Sequence, residues 1–260
     1  MTQLPGADFM HRLADAAELE TMSRYRKPIK VDSKDKPGWR FDPVTAADRE
    51  AERAMRALIA AEYPHHAILG EEFGASGEGP MCWVLDPVDG TRPFLCGIPV
   101  WGTIFGMTVE GRSEMGMLAQ PFTGERFWAT PEGAWGSRGG QQYPLRVREV
   151  DTLADAILHT TSPEPFTGDL AASFGRLTEA VRMTRYGGEC YAFAMLAAGH
   201  IDLCVEIGLQ PYDIVPIIPI VERAGGIVTR FDGSRAEGGG NVLVSATPRL
   251  HEAALRILKA

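Results

Sequence analysis

The chain has no surplus of basic residues: 26 Lys and Arg face 34 Asp and Glu, a formal net charge of −8 at pH 7. Nucleic-acid binding needs clustered Lys and Arg to neutralise phosphates, so no nucleic-acid partner is expected. A small phosphorylated ligand remains open, because a bound divalent cation inverts the local field. Cysteine is scarce, and Cys82, Cys96, Cys190 and Cys204 show no C-x-x-C spacing, which removes a zinc signature. Three of them sit in apolar runs and read as buried free thiols in a reducing compartment. The histidines, His11, His65, His66, His159, His200 and His251, have no metal-ligand spacing and read mostly as surface or structural residues. No run reaches the roughly 18 consecutive apolar residues of a membrane span, so no membrane partner is expected. The amino terminus lacks a basic region followed by a long apolar core, and the expected compartment is the cytoplasm. Internal repeats and low-complexity segments are also missing.

What is present is an ordinary globular composition, 45% hydrophobic and 23% charged over 260 residues. That length is ample for one large domain or two smaller ones sharing a core. Apolar spacing predicts helices over residues 8–24 and 45–63, the second opened by Thr45 with Asp48 three residues on, as in a capping box. Residues 27–38, basic and punctuated by proline, read as an exposed loop. Short apolar runs at 67–70, 82–85, 103–109, 115–119 and 125–129 predict strands, the last three an antiparallel meander joined at Gly111-Arg112 and Thr123-Gly124. Glycine-rich 133–140 reads as a loop or hairpin tip. Beyond residue 150 the pattern alternates: strands at 156–160, 201–205, 227–231 and 242–245, with helices at 169–181, 190–198, 212–224 and from Pro248. Interspersed helices and strands predict a layered α/β fold with mixed sheets, in two lobes, residues 1–150 and 151–260, that share a cleft.

The most informative stretch is Trp83-Val84-Leu85-Asp86-Pro87-Val88-Asp89-Gly90-Thr91, an apolar run that ends abruptly in two carboxylates, a glycine and a hydroxyl. Carboxylates are hard ligands suited to Mg²⁺, which commonly binds phosphate alongside one or two of them. Gly90 allows close approach of backbone N–H groups to a phosphate, and Thr91 offers a hydroxyl to orient water. The same letters are also good turn chemistry. Glu71 follows the run at 67–70 and sits at a strand end, where ligand sites of open α/β sheets gather, or in a solvated acidic loop. Asp48, taken alone, reads better as the reciprocal partner of a Thr45 helix cap. Asp213 leads into an almost wholly apolar segment, where a carboxylate needs either a cation or the donors of a helix N-terminus. Together, Asp48, Glu71, Asp86, Asp89 and Asp213 supply enough acids, each at an element boundary, for two or three Mg²⁺ ions acting on a phosphate monoester.

The set resembles the inositol monophosphatase family of Mg²⁺-dependent, Li⁺-sensitive phosphomonoesterases. The resemblance is carried by Asp42-Pro43-Val44-Thr45-Ala46-Ala47-Asp48, Leu69-Gly70-Glu71-Glu72, the 83–91 stretch, and Tyr212-Asp213 with Glu222-Arg223-Ala224-Gly225-Gly226. It covers essentially the whole chain. It implies a five-layer αβαβα sandwich, usually a homodimer. It further implies that Glu71, Asp86 and the Val88 carbonyl bind a first metal, and Asp86, Asp89 and Asp213 a second. Glu71 and Thr91 would orient and deprotonate the attacking water, Gly90 and Thr91 N–H groups would hold the phosphate, and Asp48 would act through water on a third ion. Val88 stands where isoleucine is common, a change that leaves a backbone carbonyl unaffected. Family members often carry a lysine shortly before Pro-Val-Thr; here Lys34 and Lys36 both occur, Gly38-Trp39-Arg40-Phe41 alters the approach, and Lys36 is the counterpart chosen.

Substrate choice is expected in the second lobe, at Gly187, Gly188, Glu189, Glu206 and Asp213. Tyr186-Gly187-Gly188-Glu189-Cys190-Tyr191-Ala192, with Gly208-Leu209-Gln210-Pro211-Tyr212-Asp213-Ile214-Val215, looks like the histidinol-phosphatase branch of the family. An extra acid at Glu189 suits a substrate amine through a charge-assisted hydrogen bond, or else favours the start of the following helix. The function implied is hydrolysis of histidinol phosphate. Inositol monophosphate or a range of sugar phosphates is the alternative. A non-catalytic scaffold or regulatory subunit is a remote one, since no metal ligand of the pattern is missing.

Overall fold

The computed structural model describes residues 4–34 and 42–259. Lys36 lies outside the described residues. The first helix, α1 (Ala7–Met22), buries Phe9, Met10, Leu13, Ala14 and Ala17 on one face. Strands β1 (Val31–Lys34) and β2 (Asp42–Thr45) pair antiparallel and lead into α2 (Ala46–Glu62). Part of the 27–38 segment expected as loop is therefore strand. Ladder pairing with β2 holds a polar stretch that has no apolar alternation to announce it. The capping box of α2 is present: the Thr45 hydroxyl accepts from the Ala47 amide, and Asp48 accepts from the Thr45 amide.

Next come β3 (Ala67–Gly70), β4 (Gly74–Ser76), β5 (Met81–Asp89), α3 (Thr91–Cys96), β6 (Gly102–Val109), β7 (Arg112–Gln120), β8 (Glu125–Thr130), β9 (Gly133–Arg138) and β10 (Gln141–Pro144). Strands β3 to β10 form one sheet in the order β10-β9-β8-β7-β6-β5-β3-β4. Only β3 and β5 run parallel in it; the remainder from β5 onward is an antiparallel meander. Residues 133–140, expected as a loop or hairpin tip, are mostly β9. One of its glycines makes room rather than a turn: a Cβ on Gly136 would lie 2.6 Å from the ring of Tyr143, its partner on β10.

The second half holds β11 (Ile157–Thr160), α4 (Asp169–Ala180), β12 (Met183–Tyr186), α5 (Glu189–Ala197), β13 (Leu203–Leu209), α6 (Pro211–Ile214), α7 (Ile217–Arg223), β14 (Ile227–Arg230), β15 (Gly240–Ser245) and α8 (Pro248–Leu258). Its sheet runs β12-β11-β13-β15-β14, with β12, β11 and β13 mutually parallel and β15 antiparallel to both of its neighbours. The helix expected over 212–224 is two helices. Pro216 has no amide to donate and its ring crowds the preceding turn, so α6 ends and α7 begins around it.

Among the described residues, the three larger of four apolar clusters hold five layers together. Helices α1 and α2 cover one face of the large sheet through Phe9, Leu13, Met55 and Ile59 against Trp83, Leu85 and Phe105. Helices α5 and α7 fill the space between the two sheets, joining Ile104, Leu118 and Phe127 to Val242 and Val244. Helices α4 and α8 close the far face through Phe174, Leu177, Leu250 and Ala254. This is the αβαβα sandwich. Among the described residues no helix is long and apolar enough to cross a membrane. Cys190 and Cys204 are buried, Cys82 is half-buried and Cys96 exposed, all as free thiols.

Candidate active site

Strand β5 carries the central motif. Trp83, Val84 and Leu85 are buried, as befits a strand covered on both faces. In a regular strand residues 86 and 89 would point to opposite faces, because side chains alternate. Here the ladder to β6 shifts register between Asp86, opposite Ile104, and Asp89, opposite Gly102. The interval holds Pro87, which has no amide to give to a ladder and suits a bulge. The extra residue reverses the parity, and both carboxylates reach one point. Oxygen atoms of Asp86, Asp89 and Asp213 lie within 4.8 Å of one another.

Each of the other acids arrives on its own element. Glu71 follows β3, its amide donating to the Leu85 carbonyl at 3.1 Å and its charge bearing on Asp86. Asp213 sits in α6 and accepts from the Gln210 amide at 2.7 Å through Oδ2, a capping-box bond. Asp48 is built the same way. Its Oδ2 accepts from the Thr45 amide and hydroxyl at 2.9 and 2.7 Å, while Oδ1 lies 3.2 Å from the Thr91 hydroxyl. That hydroxyl is also 3.2 Å from the Val88 carbonyl oxygen. The cap and the site are thus not competing readings of Asp48, because its two oxygens divide the tasks. Gly90, with φ at +87°, turns the chain from β5 into α3, where a Cβ would meet the Glu189 side chain at 3.0 Å.

Glu71, Asp86, Asp89 and Asp213 line a cleft of about 360 Å³ between the two sheets, with Asp48 behind it. Burial pushes the Asp86 carboxyl well above its ordinary range, and the charges of Glu71, Asp89 and Asp213 push it further. Asp89 is also raised by burial, although it accepts bonds from Cys190, whose amide lies 2.7 Å from Oδ2. Among the described residues lining the cleft, Arg92 is the only cationic side chain. Crowded, desolvated carboxylates form a donor set that fits a hard divalent ion, which would offset their mutual repulsion.

The second lobe closes the cleft. Glu206, on β13, is buried and accepts from the Thr161 amide at 2.7 Å and the Thr161 hydroxyl at 3.1 Å. Burial still raises its pKa to about 8. Glu189 faces the same cleft with φ at +46°, an uncommon conformation for a residue with a Cβ. Burial and then the Asp89 charge raise its pKa to about 7, with Arg92 pulling the other way. No side-chain cap bond closes the start of α5; the carboxylate that meets it is Asp89, on the Cys190 amide. Gly187 and Gly188, expected among the substrate contacts, do not line the cleft. They shape the turn instead: Gly187 has φ at +77°, and a Cβ on Gly188 would fall 2.6 Å from His159 Nε2. Arg92, Thr161, Ser162 and Glu164 line the cleft without having been singled out from sequence. Arg92 directly follows the central motif and had a local signal; the others meet the site only through the packing of β11.

The profile of the inositol monophosphatase family matches residues 4–260. The chain belongs to the inositol monophosphatase family. Members of that family are metal-dependent phosphatases, and this chain is a phosphatase of the same kind. A histidinol-phosphatase of Streptomyces coelicolor is 36% identical over 95% of this chain and 94% of its own length. The chloroplastic bifunctional phosphatase IMPL2 of Arabidopsis thaliana is 35% identical over 95% of this chain and 73% of its own length. A solved inositol monophosphatase from Zymomonas mobilis matches the fold with a TM-score of 0.85 at 35% identity, covering 97% of both chains.

Proposed function

We propose that this inositol monophosphatase family member hydrolyses histidinol phosphate to histidinol and inorganic phosphate with Mg²⁺ as its metal. Glu71, Asp86, the Val88 carbonyl, Asp89 and Asp213 would hold the ions, which when bound supply an activated water and charge stabilisation for the leaving oxygen. The phosphate would lie against the Gly90 and Thr91 amides. The Thr91 hydroxyl, set between Asp48 and the Val88 carbonyl, would orient a water, and Glu71 would take its proton. As the water oxygen bonds to phosphorus the ester P–O bond breaks, and the departing alkoxide takes a proton to become the alcohol.

The observation that carries the substrate assignment is Glu189, a carboxylate that lines the cleft next to Asp89. Beside a bound phosphoester such an acid suits an ammonium group better than a neutral polyol. Relatives named histidinol-phosphatase at 31–36% identity support it. Inositol 1-phosphate is the second reading, supported by the likeness to the Zymomonas mobilis enzyme. Division of labour between residues 1–150 and 151–260, and a homodimeric assembly, belong to the same proposal. Side-by-side kcat/KM measurements with the two esters at saturating Mg²⁺ test it. Histidinol phosphate is expected to be strongly preferred, and an inositol preference overturns the assignment.

A further inference from the structure

Glu52 lies on α2 one helical turn beyond Asp48, on the face that also buries Ala51, Met55 and Ile59. It is completely buried, a rare state for glutamate unless every charge and lone pair finds a partner. Oε1 accepts from Arg56 Nε at 2.7 Å, one turn further along the helix. The remaining capacity goes to backbone: the Glu72 amide donates to Oε2 at 2.8 Å and the Phe73 amide to Oε1 at 3.3 Å. Those two amides immediately follow Glu71. Gly70 immediately precedes it, and a Cβ there would lie 1.9 Å from Glu52 Oε1, so the carboxylate occupies the space that a side chain would fill. Glu71's own amide is held by the Leu85 carbonyl, one residue before Asp86. The backbone around Glu71 is therefore fixed from two directions, by β5 on one side and by Glu52 on the other.

We propose that Glu52 is the positioning residue for Glu71, and that α2 acts as a rigid backboard presenting two acids of the site, Asp48 directly and Glu71 through Glu52. This rests on the reading of Glu71 as a metal ligand. Without Glu52, two shielded amides lose their acceptor and the 71–73 turn loses what sets its direction. Removal of an outer partner of a metal ligand lowers metal affinity by about 10–100-fold.

The test is a Mn²⁺ titration by isothermal calorimetry on wild type, E71Q, E52Q, E52D and the E52Q/E71Q double variant, with folding followed by circular dichroism. E71Q is expected to weaken Mn²⁺ binding and E52Q to weaken it about tenfold. In the double variant E52Q is expected to add nothing to E71Q, whereas a merely structural role would add its loss in both backgrounds. The one-methylene retraction in E52D is expected to cost at least about threefold, since the shorter chain cannot span both amides. A folded E52Q with wild-type affinity overturns the proposal, as does an additive double variant. If E52Q does not fold, wild-type affinity in E52D overturns it. Wild-type affinity in E71Q overturns the metal reading beneath it.

Discussion

Asp48 and Asp213 each commit one oxygen to a capping box, Asp48 turning the other toward Thr91 and Asp213 joining the carboxylate cluster. Such acids are oriented before any ligand arrives, because their rotamers are set by backbone donors. Glu206 has a different balance. Its pKa of about 8 lies far above the ordinary 4.5, with burial as the leading cause. Between those values the folded chain retains a proton that the unfolded chain has released. The unfolded state then binds fewer protons, so this group's contribution makes stability fall as pH rises through the window. E206Q removes that cost and leaves an amide oxygen for the Thr161 donors. By differential scanning calorimetry on metal-free protein, E206Q is expected to melt a few degrees above wild type near pH 9, with the difference closing near pH 5. Equal melting at both pH values would contradict a carboxyl held neutral by burial.

At the scale of elements, the position of Asp213 depends on how α6 and α7 sit against the large sheet. The bend at Pro216 rests on two glycines of neighbouring strands. A Cβ on Gly116 would fall 1.8 Å from the Pro216 carbonyl oxygen, and one on Gly106 would fall 3.0 Å from its Cα. These glycines are not turn formers; they let a helix bend approach bare backbone. G116A is expected to destabilise the protein by at least about 2 kcal/mol through overpacking, read from the urea midpoint. It should also weaken Mn²⁺ binding, because Asp213 lies three residues from Pro216. An unchanged midpoint would mean that the bend has slack.

For the whole molecule, the acids of the cleft are a liability to folding that a ligand relieves. Asp86 is buried and Asp89 half-buried among like charges in a chain of net charge −8. A cation that binds only the folded state stabilises it by about 2.7 kcal/mol at a hundred times its dissociation constant, or roughly 5–10 °C for a chain of this size. Mg²⁺ is therefore expected to raise the melting temperature and EDTA to reverse it. D89N should lose most of that increment, with turnover close to background and a metal-free melting temperature at least equal to wild type. Near-normal turnover of D89N at saturating Mg²⁺ would contradict the assigned ligand set.

Much of this was readable from the linear chain. The α2 boundaries followed from Thr45, Asp48 and Pro64, and the meander followed from short apolar runs separated by Gly-containing turns. The acids of the cleft were visible because each interrupts an apolar segment or opens an element, where a structural role alone explains a carboxylate poorly. Where the reading failed, the cause was tertiary. Residues 133–140 look like a loop until Tyr143 is seen to need the space beside Gly136, and 212–224 looks like one helix until Pro216 is seated on the sheet. Glu52 has no local mark, since a glutamate one turn after Asp48 on an amphipathic helix reads as a solvated residue. Residue identity and order by themselves determined the chemistry: hard oxygen ligands, a hydroxyl and a glycine turn, in the pattern of a phosphatase family. Only the folded chain decided how those groups meet. A bulge between Asp86 and Asp89 reverses the parity of the strand to bring the two together, and packing of two sheets around shared helices brings Asp213 to them. Both depend on contacts between residues far apart in sequence, which local propensity does not encode.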